Sequence, residues 1–123
     1  MIRLDSNYIL RYLVNDNEDM ANIAEEVINT KNVYIANEVL AEVVYVLGGI
    51  YKASKEKICS DLSELINFTN IYTSNKAIVQ KALELYRDKN LDFVDCLLCS
   101  YSEIDEILTF DKKLNNCLKP KTP

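Results

Sequence analysis

The sequence predicts an α/β domain in which helices cover both faces of a short central parallel sheet, a three-layer α/β/α arrangement. Short apolar, β-leaning runs alternate with longer segments of helical periodicity. The 123-residue chain has the size of one ordinary domain, and its 49% hydrophobic content is enough for a real core. We therefore expect residues 1–123 to form a single domain, with a loose tail over 119–123.

The first half of the chain predicts two strands, each followed by helical segments. The apolar run 1–4 leads into a helical stretch over 8–14, and the acidic turn 17–19 opens an amphipathic helix that ends near 30–32. Residues 33–35 favour a second strand. Asn37 is expected to cap the strongly apolar helix that follows it, which weakens or ends at Gly48 and Gly49.

The second half predicts two more strands and three more helices. Residues 54–68 have helical periodicity after a polar first turn, and 70–73 favour a third strand. Ser74 or Asn75 opens the next helix, and Asn90 or Asp92 opens a helix over 93–101. The apolar run 107–110 predicts a fourth strand that ends at Asp111.

Cysteine and histidine usage limits the chemistry available to this chain. The four cysteines lie in or beside apolar runs, so we expect reduced thiols packed as small hydrophobic side chains. Cys96 and Cys99 form a C-x-x-C pair, but no second pair and no histidine is present to complete a zinc site. The lack of histidine also excludes Ser-His-Asp and Cys-His catalysis.

The charge and hydropathy patterns bear on location and partners. No apolar run approaches the roughly 18 residues of a membrane helix, and the first residues do not resemble a signal peptide, so we expect a cytoplasmic protein without membrane contact. The net charge of −5 argues against binding nucleic acid mainly by phosphate neutralisation, but it does not exclude a nuclease. The lysine groups at 52–57 and 112–121 fit solvated surfaces and a substrate track equally well.

Four carboxylates far apart in sequence stand where an α/β fold would gather them. Asp5 and Asp111 follow predicted strands, and ligands of open α/β sheets collect beyond the carboxyl ends of strands. Glu42 lies in an apolar helix, where it either shares an exposed stripe with Glu38 or points into the acidic crevice. Asp95 lies three residues after Asp92, so both face one side of a helix start, where Asp92 is a natural N-cap.

The segments that carry these acids resemble the PIN-domain family, and within it the VapC toxins of bacterial toxin–antitoxin pairs. The resemblance rests on four motifs in the family's order and spacing, and it spans nearly the whole chain. They are Leu4-Asp5-Ser6-Asn7, the helix over 39–47 with Glu42, Asp92-Phe93-Val94-Asp95 with the apolar residues after it, and Leu108-Thr109-Phe110-Asp111. One departure is Cys96, where the family often has alanine.

The resemblance implies an endoribonuclease with an acidic quartet of Asp5, Glu42, Asp95 and Asp111 that binds Mg²⁺ or Mn²⁺. Asp5 and Asp95 are the expected principal ligands, and Glu42 and Asp111 are expected to bind directly or through water. Asn7, Asp92 and Thr109 are expected to support the ligands or face the substrate. The family also implies an RNA substrate, a homodimer and a small antitoxin whose tail fills the acidic groove.

The chemistry of the residues agrees with this implication. Hard divalent cations prefer carboxylate and water oxygens, and one or two such ions can activate water for attack on a phosphodiester. Two other functions stay open at this point. One is a PIN-like binding module without catalysis; the other is a receiver domain, although its middle-strand phosphoacceptor is missing because Asp61 lies in a helical pattern.

Overall fold

The computed structural model describes residues 1–118, and this range contains three short strands and seven α-helices. The strands are β1 (Ile2–Arg3), β2 (Val33–Tyr34) and β3 (Ile71–Tyr72). The helices are α1 (Ser6–Val14), α2 (Glu18–Thr30), α3 (Asn37–Gly49), α4 (Lys55–Ile66), α5 (Lys76–Asp88), α6 (Phe93–Tyr101) and α7 (Lys112–Cys117).

The strands form one parallel sheet in the order β1-β2-β3. Ile2 pairs with Val33, and Val33 pairs with Ile71. Because parallel neighbours need long crossovers, helices separate each strand from the next. The predicted α/β class with a short central parallel sheet between helical layers is confirmed.

The core explains why the helices pack where they do. Side chains from the sheet and from most helices form one buried cluster in which the largest are almost fully hidden from solvent. The helices from α1 to α6 contribute the apolar side chains that their sequence periodicity predicts. Among the fully buried side chains are Ile9, Ile28, Ile35, Leu40, Val43, Ile58, Leu62, Ile71 and Leu83.

Short polar side chains start most of the helices. Asn17, Ser54 and Asn75 each accept a hydrogen bond from the backbone N–H three residues later, which satisfies a donor at the helix start. The predicted cap at Asn37 is wrong. Ala36 holds the N-cap position of α3, and Asn37 lies inside the helix, where its side chain bonds to other elements instead.

The predicted fourth strand over 107–110 is also wrong, because this segment has no strand pairing among residues 1–118. Leu108 and Phe110 are exposed instead of packed in the sheet. Local bonds shape the segment: Thr109 Oγ1 accepts from the Asp111 N–H at 3.0 Å, and its carbonyl accepts from Asn115 at 2.9 Å. An apolar, β-leaning run becomes a strand only where a neighbouring edge pairs with it.

The expectation of four reduced thiols is wrong for two of them. Cys99 at the end of α6 and Cys117 at the end of α7 form a disulfide, because the fold brings their Cα atoms to 5.9 Å. Cys59 and Cys96 are free and buried, as expected of small apolar side chains. Burial raises the pKa of the Cys96 thiol to about 11, which keeps it protonated and unreactive.

Two expectations concern the chain ends and membranes. The loose tail predicted over 119–123, which includes Lys119 and Lys121 of the second lysine group, lies outside the described residues. Among residues 1–118, no helix combines the length and the apolar character that a membrane crossing requires.

Candidate active site

Three of the predicted acids stand at helix starts, and each caps its helix. One carboxylate oxygen of Asp5 accepts from Tyr8 N–H, one of Asp92 from Asp95 N–H, and one of Asp111 from Leu114 N–H, each at 2.9 Å. This geometry follows from the preference for aspartate at the N-cap. Each carboxylate keeps its second oxygen for another contact.

Asp92, Asp95 and Asp111 meet at one cavity of about 450 Å³, which we call the acidic cavity. Asp95 lies on the first turn of α6 and is partly buried. Its pKa is raised by burial first, and then by the negative charges of Asp92 and Asp111. The three acids are therefore close enough to repel one another, a condition that a cation would relieve.

Three basic or aromatic side chains also line the acidic cavity: Lys55 and Lys113, which belong to the two lysine groups noted in the sequence, and Tyr86. The Lys55 ammonium lies 4.7 Å from the centre of the Tyr86 ring and donates to the Lys89 carbonyl at 3.1 Å. Burial, followed by the Cys96 and Asp92 charges, raises the pKa of Tyr86, so its phenol stays neutral. The sequence did not identify Tyr86 as a site residue, because it reaches this cavity from a separate helix, α5.

Glu42 lies next to the acidic cavity, since it lines a neighbouring cavity that Asp92 also lines. It is exposed on α3, like Glu38, so the exposed-stripe interpretation describes its position. Yet its carboxylate also accepts a hydrogen bond from the buried Ser6 hydroxyl and lines a second cavity of about 430 Å³. Asp92 and Tyr86 line both cavities, so the cavity that Glu42 lines is adjacent to the acidic one.

The remaining predicted site residues do not line the acidic cavity. Asp5 lines neither cavity and connects to Glu42 only through its neighbour Ser6. Asn7 is exposed on the first turn of α1, beside Asp5. Thr109 holds the Asp111 backbone and so supports the position of that carboxylate. Ser6 was missed, although it stands inside the Leu4-Asp5-Ser6-Asn7 motif.

The acids do not form a ready-made metal cage. Over residues 1–118, no three Asp, Glu, Cys or His side chains are grouped closely enough to hold a metal ion. The donor set nevertheless suits Mg²⁺ or Mn²⁺, because it consists of oxygen ligands under mutual repulsion. Mg²⁺ usually keeps several waters and needs only one or two carboxylates together with substrate phosphates.

A separate acidic region lies between α1, α2 and α4 and lacks all of the predicted site residues. Its cavity of about 340 Å³ includes Glu25, Asp61 and Glu64. Asp61 pairs with Lys57 at 3.0 Å, and burial together with Glu64 and Glu25 raises the pKa of Tyr12 there. Asp61 lies within α4, where a receiver-type phosphoacceptor would not stand.

Comparisons with known proteins agree with the fold. The family model described as PIN domain matches residues 2–117. The chain is 26% identical over 117 residues to a VapC ribonuclease of Aquifex aeolicus (strain VF5), an alignment that covers 89% of this chain and 87% of that relative. No solved structure matches the chain significantly. The family match covers nearly all of the described residues, and the chain therefore belongs to the PIN-domain family.

Proposed function

We propose that this protein is a metal-dependent endoribonuclease that acts in the cytoplasm as the toxin of a toxin–antitoxin pair. One observation carries the proposal: Asp92, Asp95 and Asp111 converge on one cavity, and Glu42 lines the adjoining one. The similarity to a relative named as a VapC ribonuclease supports RNA as the substrate. The reaction is hydrolysis of RNA phosphodiester bonds.

Mg²⁺ or Mn²⁺ is the proposed cofactor, held by Asp95 and Asp111 directly or through water. Asp5 and Glu42 complete the proposed ligand set, and Asp5 is included on the family resemblance alone. When bound, such a cation supplies an activated water nucleophile and neutralises charge at the phosphodiester.

The residues around the acids have positioning roles in this proposal. Asp92 caps α6 and so sets the first turn that carries Asp95. Thr109 holds the backbone of Asp111, and Ser6 orients one oxygen of Glu42. Residues that orient metal ligands in this way typically change metal affinity or activity by about 10- to 100-fold when they are removed.

Two partners belong to the proposal through the family resemblance. A small antitoxin would occupy the acidic groove and block access to the carboxylates. A second copy of the chain would form the homodimer. Co-purification with the protein encoded next to this one, followed by sedimentation of each species, tests both partners.

The decisive experiment is cleavage of total cellular RNA by the wild type, Asp95→Asn and Asp5→Asn, each with Mn²⁺, Mg²⁺ or EDTA. Glu25→Gln is the matched control, because Glu25 is an acid of the separate cavity between α1, α2 and α4. We expect metal-dependent fragments from the wild type and Glu25→Gln. Loss of a ligand should lower the rate by at least about 100-fold, the upper end of what supporting residues cost.

The same proteins distinguish a nuclease from a binding module. A cation that binds only the folded state stabilises it by about 2.7 kcal/mol at 100 times its dissociation constant. Thermal unfolding should therefore shift upward with Mn²⁺ in the wild type and less in Asp95→Asn. Absence of both the shift and the cleavage in folded wild type contradicts the proposal and favours a PIN-like module that only binds a partner.

A further inference from the structure

A disulfide joins the two helices that carry Asp95 and Asp111. Cys99 lies four residues after Asp95, one turn further along α6 and on the same face of that helix. Cys117 is the last residue of α7, the helix that Asp111 caps. The Cys99–Cys117 bond therefore connects α6 to α7 at the opposite end of each helix from its acid.

Apart from this bond, the main anchor of α7 is Leu114. Of residues 102–118, only Leu114 is buried, and α7 packs against α6. The side-chain hydrogen bonds of Thr109, Asp111 and Asn115 stay within 109–115, so they fix the shape of this segment but not its place on α6. A segment with so few buried side chains opens at a low cost in free energy. The position of Asp111 therefore depends on the disulfide.

The Cys117 sulfur is the one that an external thiol can reach. Cys99 is buried, whereas Cys117 is partly exposed and lines a cavity of about 230 Å³ together with Lys89 and Lys113. Neither lysine belongs to an ion pair within residues 1–118. The attacking species in such a reaction is an anionic thiolate, which positive surroundings favour.

We infer that the Cys99–Cys117 disulfide is a redox switch of the metal site. In the oxidised protein the bond holds Asp111 at the acidic cavity, and its reduction by a dithiol releases α7 and weakens Mn²⁺ binding. The inference rests on the proposed function, since it takes Asp111 as a ligand of the ion. Disulfides of cytoplasmic proteins are usually transient or redox-sensing, which agrees with the proposed location.

The reduction is a thiol–disulfide exchange in two steps. One thiolate of the dithiol attacks the Cys117 sulfur, the bond to Cys99 breaks, and Cys99 leaves as a thiolate that takes up a proton. The second thiolate of the dithiol then displaces Cys117, which is protonated in turn. The dithiol loses two electrons and two protons and becomes a disulfide, and the protein gains them as two thiols.

Hydrogen exchange of the metal-free protein tests the release of α7. The wild type is measured before and after treatment with dithiothreitol and is compared with Cys117→Ser, which cannot form the bond. Exchange over 102–118 should become up to about 100-fold faster in the reduced wild type and in Cys117→Ser, the loop-closure value for a bond across 18 residues. These amides should exchange before those of α4, because the release is local.

Calorimetry with Mn²⁺ then tests the metal site, after removal of the dithiothreitol, since thiolates bind metal ions themselves. We expect about tenfold weaker Mn²⁺ binding in the reduced wild type and in Cys117→Ser, the lower end of what loss of ligand support costs. RNA cleavage at limiting Mn²⁺ should fall in parallel. Cys59→Ser is the control, because it removes a buried thiol outside the pair and should respond to dithiothreitol like the wild type.

Two results overturn the inference. One is exchange over 102–118 that does not change on reduction, or that rises only together with exchange in α4, which would make the disulfide a source of overall stability alone. The other is equal Mn²⁺ affinity of the oxidised and reduced proteins. If both forms cleave RNA equally, the switch is wrong and the nuclease stands. If neither form binds Mn²⁺ or cleaves RNA, both proposals fail.

Discussion

The Ser6 hydroxyl donates a hydrogen bond to the Glu42 carboxylate across 36 residues of sequence. Ser6 is buried in the first turn of α1, directly after the Asp5 cap, whereas Glu42 is exposed on α3. The bond holds one Glu42 oxygen and joins the two helices that carry Asp5 and Glu42. Ser6, which is a poor metal ligand itself, therefore orients Glu42, whose carboxylate can bind a metal ion.

Ser6→Ala should lower metal-dependent RNA cleavage by about tenfold, since Glu42 loses its orienting donor. Stability should fall by only about 1 kcal/mol, because exposed Glu42 regains water. Cleavage rates against Mn²⁺ concentration, together with urea unfolding, separate the two effects. Ser60→Ala, at an exposed serine of α4, is the control, and an equal loss of activity in both variants would rule out the orienting role.

Asp95→Asn should stabilise the metal-free protein at neutral pH. The fold raises the pKa of this carboxyl above its ordinary value of 3.8, so its ionised form is disfavoured in the folded state. Ionised Asp95 therefore lowers the stability of the folded state. This loss is complete above the raised pKa, and it disappears as the pH falls below 3.8, where Asp95 is protonated in both the folded and the unfolded protein. Thermal unfolding from pH 3 to 8 in EDTA should show a gain that grows with pH. A gain that is constant over this range would contradict the raised pKa of Asp95.

Breaking the Cys99–Cys117 disulfide should destabilise the protein by about 3 kcal/mol, the loop-closure value for a loop of this size. Cys117→Ser and chemical reduction of the wild type should have the same effect, and reduction should not alter Cys117→Ser further. Native alkylation should leave buried Cys59 and Cys96 unmodified. Mass spectrometry that finds four alkylated cysteines in the native, unreduced protein would refute the pairing.

Tyr101→Phe should lower both stability and activity, since it removes the hydroxyl at the centre of a three-residue cluster. The Tyr101 oxygen accepts from Asn37 at 3.2 Å and bonds to Ser74 at 3.2 Å, while Ser74 donates to Asn37 at 3.0 Å. The cluster ties α6 to the start of α3, and these helices carry Asp95 and Glu42. We expect a loss of about 1–2 kcal/mol in urea unfolding and weaker Mn²⁺ binding in calorimetry.

Tyr45→Phe is the matched control for Tyr101→Phe, because it also removes one phenol oxygen, at an exposed position. Unchanged Mn²⁺ affinity in a destabilised Tyr101→Phe would restrict the cluster to a structural role.

Local signals in the sequence were enough to predict most of the secondary structure. The helix starts at Asn17, Ser54, Asn75 and Asp92 depend on one side chain and a backbone N–H three residues later, so a short window contains the whole cause. Most of the acids could be selected in the same way, because Asp5 and Asp111 follow apolar segments and Asp92 and Asp95 lie at a helix start. Glu42 was selected because a charge inside an apolar helix is unusual. The family resemblance then joined them into one predicted site.

Contacts between distant segments decided the remaining features. Residues 107–110 have a strand-like composition, but they formed no strand in the described range because pairing needs a neighbouring edge. The disulfide required α6 and α7 to bring Cys99 and Cys117 together, which no local pattern encodes. The sequence by itself determined the helices from α1 to α6, the strands of the sheet and the candidate acids, whereas α7 was not predicted. Only the tertiary structure decided that Ser6 reaches Glu42 and that Lys113 faces Asp111, because side-chain proximity depends on how the whole chain packs.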